Sequence, residues 1–311
     1  QLAFISTYTQ LPDIFYSEHD VKPLKNQFLI HFNNDVAKSL ELDPNEALRA
    51  DFVDKLFGNQ TLSGHKPIAL CYAGHQFGHF VPRLGDGRAM IIGEVVTSAN
   101  QKWDLQLKGC GQTLYSRNGD GKAVLRSTIR EYLCSAAMAG LNIPTTHALC
   151  MTGSKEEVFR EQIETGAMLL RVAPSHIRFG TFEYFYHSQK FDDLKILADF
   201  VIEHYFPELQ NHNNPYQQLL AEIVQSTASL IAQWQSVGFS HGVMNSDNMS
   251  IHGLTLDYGP YGFLDSYQPD YICNHSDHSG RYAFNKQPNV GLFNLSCFAQ
   301  SLLPLLDEDA T

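Results

Sequence analysis

Two short stretches of this sequence carry residue types that together could hold a divalent metal ion and move a proton. The first, residues 241–248, reads H-G-V-M-N-S-D-N, and the second, residues 256–259, reads L-D-Y-G. Asn248 and Asp257 offer oxygen atoms, the ligands that Mg²⁺ prefers in proteins. Asp247, beside Asn248, offers a carboxylate that could accept a proton. Residues of these types at this spacing predict a metal-assisted reaction.

The two stretches match in spacing the catalytic and metal-binding motifs of protein kinases, H-x-D-x-x-x-x-N and D-F-G. When His241 is aligned with the kinase His, Asn248 and Asp257 take the two metal-ligand positions. The position of the usual catalytic Asp is Val243, which cannot accept a proton. An acid stands instead at Asp247. The pattern predicts that the metal site of kinases is retained and that the catalytic base is lost or displaced. Two alternatives stay open: an inactive kinase, or a kinase-like site that performs different chemistry.

Two charged residues upstream, Lys108 and Glu131, match residues that a kinase-like fold uses to hold phosphates. Residues 103–108, W-D-L-Q-L-K, alternate apolar and polar side chains and predict a strand with Lys108 on its polar face. Residues 122–139 predict a helix that carries Glu131. A strand Lys that binds phosphates and a helix Glu that orients it are the kinase arrangement. Alone, each is as readily an ordinary surface residue, and their order before residue 241 favours the functional interpretation.

Two glycine turns flank the predicted strand, and their backbone N–H groups could approach phosphate oxygens closely. They read G-D-G-R at 85–88 and G-D-G-K at 119–122, each ending in a basic residue. D-G is also the commonest hairpin turn, so each turn alone indicates little. Further on, Arg171 and Arg178 bracket a Pro-containing bend, where two guanidinium groups could clamp a di- or triphosphate. Surface ion pairing is the alternative interpretation of the two arginines.

Composition narrows the classes of partner. The chain has 311 residues and a formal net charge of −11, which disfavours nucleic acid as a partner. Residues 83–130 differ, with eight basic and four acidic residues and hence a net charge of +4. This glycine-rich basic window favours a compact anion such as a polyphosphate, or else it is a chance cluster on a solvated surface. Six cysteines without a C-x-x-C pair indicate neither zinc spacing nor a disulfide framework.

The apolar pattern predicts a strand-rich first half and a helix-rich second half. Strands are expected at 89–96, 103–108, 146–151 and 167–172, and helices at 34–42, 122–139, 216–237 and 292–303. Together with the kinase-type motifs, this order predicts an α+β, protein-kinase-like two-lobed fold with the nucleotide site in the cleft. We place an N-terminal extension and a strand-rich N-lobe at residues 1–175, and a helical C-lobe at residues 176–311. No membrane span and no signal peptide are expected, because no run of 18 apolar residues and no charged start with a cleavage site occur.

Six strings of the sequence together resemble the selenoprotein O family over nearly the whole chain. They are G-H-Q-F-G at 74–78, L-G-D-G-R-A at 84–89, L-K-G-x-G-x-T-x-Y-S-R at 107–117, G-D-G-K-A-V-L-R-S-T-I-R-E at 119–131, N-S-D-N-M-S at 245–250 and L-D-Y-G-P-Y-G-F-L-D at 256–265. Proteins of that family are kinase-fold adenylyltransferases, once called pseudokinases. The resemblance implies that ATP binds upside down relative to kinases, that a protein hydroxyl attacks the α-phosphorus, and that pyrophosphate leaves.

The resemblance also implies a role for each matching residue. Lys108, with Glu131 as its partner, would hold the terminal phosphates. Asn248 and Asp257 would bind Mg²⁺, with Mn²⁺ as an alternative, and Asp247 would be the general base. The other residues implied to line the inverted nucleotide are Gly85, Gly87, Arg88, Asp120, Gly121, Arg171 and Arg178.

The sequence therefore predicts Mg²⁺-dependent transfer of AMP from ATP to Ser, Thr or Tyr hydroxyls of proteins, the chain itself included. Three alternatives stay open: a kinase that transfers the γ-phosphoryl group, which Val243 disfavours; a UMP transferase; and a non-catalytic nucleotide-binding scaffold. The protein substrates and the oligomeric state cannot be derived. A bacterial cytoplasm is the expected location, or a mitochondrion if the source is eukaryotic.

Two further expectations concern the chain end and a histidine pair. Members of the family usually run well beyond this length, and some carry a Cys or selenocysteine near the C-terminus. We therefore expect a C-terminally shortened chain, in which Cys273 is a plain thiol rather than a redox partner. His75 and His79 have a spacing that on a helix could ligate metal, but Gly74 and Gly78 disfavour a helix there, so we do not expect a metal site.

Overall fold

The computed structural model describes residues 4–58 and 66–306. The chain divides into two compact units, of which unit 1 comprises Gln1–Cys71 and Leu84–His176 and unit 2 comprises Tyr72–Arg83 and Ile177–Thr311. The main division falls after His176. Residues 72–83, which the sequence led us to place with the N-terminal domain, belong instead to unit 2.

The elements of the described residues are as follows. The strands are β1 (Tyr16–Glu18), β2 (Phe28–Phe32), β3 (Ile68–Leu70), β4 (Gly74–Gln76), β5 (His79–Val81), β6 (Ala89–Val96), β7 (Lys102–Lys108), β8 (Ala123–Val124), β9 (His147–Phe159), β10 (Ile163–Ala173), β11 (Phe239–Ser240) and β12 (Gly262–Phe263). The helices are α1 (Asn34–Ser39), α2 (Phe52–Leu56), α3 (Leu125–Gly140), α4 (Phe179–His187), α5 (Phe191–Tyr205), α6 (Pro215–Ser236) and α7 (Gln287–Leu302).

Unit 1 is built on an antiparallel sheet with the strand order β1-β3-β6-β7-β10-β9-β2, and β8 pairs with β10 at one side. The continuous apolar run predicted as a strand at 89–96 is β6, and seven of its eight residues are buried. One face of the sheet packs with α1 and α2 into the main core, which includes Met90, Leu105 and Leu170. On a separate patch, Tyr132 of α3 packs against Met151 and Leu169.

The polar face of β7, on which the sequence placed Lys108, is buried. Asp104, Gln106 and Lys108 are all nearly inaccessible to solvent. Each has a partner within unit 1: Oδ2 of Asp104 accepts from the backbone N–H of His176, and Nε2 of Gln106 donates to Asp86. Because buried polar groups must be hydrogen-bonded to be tolerated, this face is a polar interior that fixes the direction of each side chain.

The helix predicted at 122–139 begins later, at Leu125. Residues Ala123 and Val124 form β8 instead and pair with Ala167 and Gly166 of β10. Gly121 therefore does not open the helix that carries Glu131, contrary to the sequence prediction, because two strand residues and their long-range pairing intervene.

Unit 2 is mainly helical, with α4 packed on α7 and α5, and α6 packed on α7. The helix predicted at 216–237 is α6, which starts at Pro215, a residue suited to the first helical turn. Two small hairpins, β4–β5 and β11–β12, complete the unit. The predicted α+β class, with a strand-rich first part and a helical second part, is confirmed. Among the described residues, none of the helices has the length and apolarity needed to cross a membrane.

Candidate active site

The predicted Lys–Glu pair forms in unit 1 and includes a third residue. Nζ of Lys108, at the end of β7, lies 2.5 Å from Oε2 of Glu131 on α3. The other carboxylate oxygen, Oε1, lies 3.2 Å from Nη1 of Arg171 on β10. Lys108 pairs in register with Leu169, so Arg171, two residues further along β10, lies on the same face of the sheet as Lys108. One buried carboxylate thus orients two cations, which leaves the group with a net positive charge for an anion.

The first glycine turn is shaped by Tyr115. Gly85 has φ +91°, and a Cβ there would lie 2.3 Å from the Tyr115 ring, so only glycine fits. A Cβ on Gly87 would lie 2.9 Å from the carbonyl oxygen of Tyr115. The hydroxyls of Thr113 and Ser116 donate to the backbone oxygens of Asp86 and Gly87. The turn is therefore held rigidly against residues 113–116, and it leaves the Arg88 side chain exposed.

The second glycine turn is fixed by close backbone packing and by an ion pair. Gly121 has φ +71°, and a Cβ there would lie 2.1 Å from the backbone of Gly111, so its first role is close packing of two chain segments. Asp120 is bound by both terminal nitrogens of Arg160, at 2.9 and 3.0 Å, and that guanidinium lowers the pKa of the carboxyl. Since Asp120 is already paired, its observed role is to brace the turn.

In unit 2, Asp247 lies in the short 3₁₀ turn Ser246–Asn248 and is buried. Nε2 of Gln76 donates to its carboxylate, at 3.3 Å from Oδ2, and Nη1 of Arg178 donates to its backbone oxygen at 2.8 Å. Burial raises the pKa of Asp247 to about 6, against the lowering influence of the Arg178 charge and the Gln76 hydrogen bond. A carboxylate whose pKa lies near neutral pH is suited to accept a proton and release it again.

An antiparallel bridge joins Met249, the residue after Asn248, to Thr255, which lies two residues before Asp257. In such a bridge the chain before Met249 runs beside the chain after Thr255, so Asn248 and Asp257 lie at the same end of it. Nδ2 of Asn248 donates to the backbone oxygen of Val243 at 3.0 Å, which orients the side-chain amide. An amide oxygen and a carboxylate are oxygen ligands of the kind that Mg²⁺ prefers, so this donor set fits the predicted ion.

His241 supports this loop rather than taking part in proton transfer. Its ring lies 5.2 Å from that of Trp234, and its Nδ1 accepts from the backbone N–H of Val243. Burial lowers the pKa of His241 to about 4, although the Asp257 charge acts in the opposite direction. The imidazole is therefore neutral at pH 7, and it supports the loop by packing on Trp234 and by accepting the hydrogen bond from Val243.

The two arginines predicted to clamp phosphates have separate partners. Arg171 binds Glu131 within unit 1, as described above. Arg178 is the N-cap residue of α4 in unit 2, and its guanidinium lies over the Tyr72 ring at 4.5 Å while it holds the backbone of Asp247. Each arginine is thus already oriented by its own unit.

Sequence reasoning missed the residues that hold Asp247 in place. A Cβ on Gly74 would lie 2.8 Å from Cβ of Asp247, and one on Gly180 would lie 2.1 Å from the backbone oxygen of Ala73. With Gln76, these glycines let the β4–β5 hairpin and α4 pack directly on the turn that carries Asp247. The string G-H-Q-F-G was visible in the sequence, but nothing in it indicates a partner 171 residues away.

Comparison with known proteins decides the family. A family model described as protein adenylyltransferase SelO matches residues 1–311. The chain belongs to the SelO family.

The chain is similar to curated bacterial proteins named protein nucleotidyltransferase YdiU. Those of Photobacterium profundum and Myxococcus xanthus are each 55% identical to this chain, and that of Thioalkalivibrio sulfidiphilus is 56% identical. Each match covers 99% of this chain but only 63% of the relative. The chain thus spans somewhat under two thirds of the length of these SelO relatives.

Among solved structures, the chain is similar to a crystal structure of the BubR1 kinase domain. The match covers 85% of this chain and 73% of that domain, with 10% sequence identity and a TM-score of 0.33. At this level the likeness carries no argument about function.

Proposed function

We propose that this chain transfers AMP from ATP to Ser, Thr or Tyr hydroxyls of proteins, itself included, in a reaction that depends on Mg²⁺ and releases pyrophosphate. The SelO membership and the names of the relatives support a protein nucleotidyltransferase in general. The finer statement, with ATP bound in the inverted orientation, depends on the chemistry of individual residues.

The observation that carries the proposal is the position of the acid. Val243 stands where a kinase has its catalytic Asp, and Asp247 is a buried carboxylate with a pKa near 6 in the same loop. A base displaced by four residues suits a hydroxyl that approaches a different phosphorus atom. This displacement favours attack at the α-phosphorus over transfer of the γ-phosphoryl group.

The remaining residues supply charge and orientation. Lys108 and Arg171, both oriented by Glu131, bind the terminal phosphates, and the rigid turns at Gly85, Gly87 and Arg88 and at Asp120 and Gly121 line the nucleotide. Arg178 holds the Asp247 loop and adds positive charge beside it. Asn248 and Asp257 hold Mg²⁺, which when bound neutralises phosphate charge. Such positioning and charge stabilisation provide most of the acceleration in reactions of this type.

The acceptor hydroxyl oxygen forms a bond to the α-phosphorus of ATP while Asp247 takes the hydroxyl proton. The bond between the α-phosphorus and its bridging oxygen to the β-phosphorus breaks, and pyrophosphate leaves with the electron pair. The products are an AMP ester of the protein and pyrophosphate.

The test is label transfer to protein from α-labelled and γ-labelled ATP, run in parallel with Mg²⁺. Label from the α position alone is the expected result. Label from the γ position alone would make the chain a kinase, and label from neither would leave a nucleotide-binding scaffold. A parallel reaction with α-labelled UTP tests the UMP alternative, because the better donor gives the faster labelling.

Three variants assign the roles. Asp257→Ala should abolish Mg²⁺-dependent ATP binding, whereas Asp247→Ala should keep binding and slow transfer by about 10²-fold or more, the usual contribution of a general base. Asp270→Ala, at an exposed position of unit 2, is the matched control and should transfer at the native rate. Native transfer by Asp247→Ala would exclude the proposed base.

The location that we propose is a bacterial cytoplasm. In the part of the chain that the structure describes, no cysteine forms a disulfide bond, as is usual for proteins of a reducing compartment, and the relatives named above are bacterial.

A further inference from the structure

Three metal-ligand side chains meet in unit 2, apart from the Asn248 and Asp257 pair. They are His75 from β4 and Glu183 and His187 from α4. Glu183 and His187 are four residues apart on a helix, so their side chains lie on the same face. One nitrogen or oxygen atom from each of the three residues lies within 4.8 Å of the other two. Among the described residues, no other group of three or more His, Cys, Asp and Glu side chains comes this close.

The carboxylate of Glu183 is incompletely satisfied by the protein. Glu183 is fully buried, and its Oε2 accepts from Nδ1 of His75 at 2.6 Å. Its Oε1 is also buried and has no hydrogen-bond partner among the described residues. A buried carboxylate oxygen without a partner is costly, so such an atom marks a place where a ligand is expected.

Aromatic rings hold the two histidines in place. The ring of Phe80 lies 3.9 Å from that of His187, and the ring of Phe293 lies 5.6 Å edge-on from that of His75. These contacts restrict the imidazoles to a few rotamers before any ligand binds, which lowers the entropy cost of binding. His187 is exposed, which provides an entry path from solvent.

We propose that His75, Glu183 and His187 form a binding site for one divalent transition-metal ion, with Zn²⁺ as the best match. Two imidazoles and one carboxylate are a common ligand set for zinc, with a fourth position left for water. Mg²⁺ prefers oxygen ligands alone, so this site and the Asn248 and Asp257 pair select different ions.

The position of the site gives the bound ion a consequence for the proposed base. The backbone N–H of His75 donates to Oγ of Ser246 at 2.7 Å, and Ser246 precedes Asp247. The same helix that carries Glu183 and His187 begins at the N-cap Arg178, which holds the backbone oxygen of Asp247. An ion that joins β4 to α4 therefore fastens together the two elements that pack on Asp247. Ligand binding to the folded state alone also stabilises it, so the melting temperature should rise with Zn²⁺.

The experiment is titration of the metal-free protein with Zn²⁺ by calorimetry and with Co²⁺ by visible absorption. The variants are His187→Ala, which changes an exposed residue, and Glu183→Gln, which keeps the shape of the buried side chain. His79→Ala is the matched control, because His79 lies in the same hairpin but outside the cluster. Far-ultraviolet circular dichroism verifies that each variant is folded.

The expected result is one equivalent of Zn²⁺ and a Co²⁺ spectrum of low-coordinate type for the native chain and His79→Ala. His187→Ala and Glu183→Gln should bind Zn²⁺ at least about tenfold more weakly and lose that Co²⁺ spectrum. The proposal is overturned if the native chain does not bind Zn²⁺ at about 100 μM, a weak affinity for a protein site. It is equally overturned if folded His187→Ala and Glu183→Gln bind Zn²⁺ as the native chain does, or if His79→Ala loses binding to the same extent. In those cases His75 and Glu183 form a hydrogen-bonded pair only.

Discussion

Nε2 of Gln76 lies 3.3 Å from Oδ2 and 3.5 Å from Oδ1 of Asp247. The side-chain amide of Gln76 thus donates a hydrogen bond to the carboxylate of Asp247, which is buried. Its hydrogen bond lowers the pKa of Asp247, whereas burial raises it to the net value of about 6. Gln76 therefore tunes how readily Asp247 gives up its proton, although 171 residues separate the two in sequence.

Replacing Gln76 with Leu should raise the pKa of Asp247 further, because a donor to the ionised form is lost. If Asp247 is the base, kcat falls about tenfold per pH unit below its pKa and is level above it. We expect the midpoint to move from about 6 in the native chain to about 7 in the variant, since a hydrogen bond to a charged group contributes about 1.5 kcal/mol. The measurement is kcat for AMP transfer against pH at saturating ATP.

Gln268→Leu, at an exposed position of unit 2, is the control and should keep the native midpoint. Identical pH profiles for the Gln76 variant and the native chain would mean that Asp247 does not control the reaction.

Replacing Asp247 with Asn should stabilise the fold while it slows transfer. The pKa of Asp247 is about 6 in the folded state against 3.8 for the unfolded reference, so between these values the folded state binds more protons. The free energy of unfolding of the native chain therefore falls as pH rises from about 4 to about 6, and is level above. Asn does not ionise, so the variant does not lose this free energy of unfolding. A pKa difference of about two units corresponds to a loss of about 3 kcal/mol at most. The measurement is the melting temperature of both proteins at several pH values.

The stability difference between the Asn variant and the native chain should therefore grow across that interval and reach a plateau. Asp270→Asn serves as the control, because an exposed carboxylate carries no comparable burial cost. A difference that does not change with pH would show that Asp247 ionises at its ordinary pKa.

In unit 1, Glu131→Gln should destabilise the chain more than Lys108→Met does. The Gln variant leaves two buried cations, Lys108 and Arg171, without their shared carboxylate. Lys108→Met leaves Glu131 paired with Arg171, so no charge is stranded. Removing the shared partner of a buried ion pair costs about 3–5 kcal/mol, and we expect a difference of that order in urea denaturation. ATP affinity should fall in both variants, and equal stability of the two would mean that Arg171 does not depend on Glu131.

The sequence predicts the strands and which side chains share a face, but it does not predict which distant residues cover that face. The alternation in 103–108 predicts β7 and places Lys108 on its polar side, but whether that side faces water depends on residues distant in sequence. Asp86 and His176 cover it, and no local pattern indicates this. For the same reason residues 122–124 were wrongly predicted as helix, because Ala123 and Val124 pair with β10, and this pairing is long-range.

The candidates for metal ligand and base could be named from the sequence because motif spacing fixes which residues share a loop. The bridge between Met249 and Thr255 leaves Asn248 and Asp257 at the same end of it, and Asp247 adjoins Asn248 in the sequence, whereas their roles in metal binding and proton transfer stay predictions. The environment that sets the pKa of Asp247 was not predictable, since burial by the folded chain raises this pKa, and Arg178 and Gln76, which lower it, lie on other elements. A local motif thus names the candidate residues, whereas the pKa of Asp247 depends on the tertiary fold.

Adding a methyl group at Gly74 should displace Asp247 without touching unit 1. A Cβ at this position would lie 2.8 Å from Cβ and 2.9 Å from the backbone nitrogen of Asp247, and neither of these atoms is the end of a flexible side chain. Because a misplacement of about 1 Å can cost about 10²-fold in rate, Gly74→Ala should lower kcat at least about tenfold. The dissociation constant for ATP should change less than about twofold, since Lys108 and Arg171 of unit 1 are unaltered. Gly140→Ala is the control, because nothing lies within 4 Å of a Cβ there, and it should keep native kcat. Native kcat in Gly74→Ala as well would mean that the position of Asp247 is not critical, which contradicts its assignment as the base.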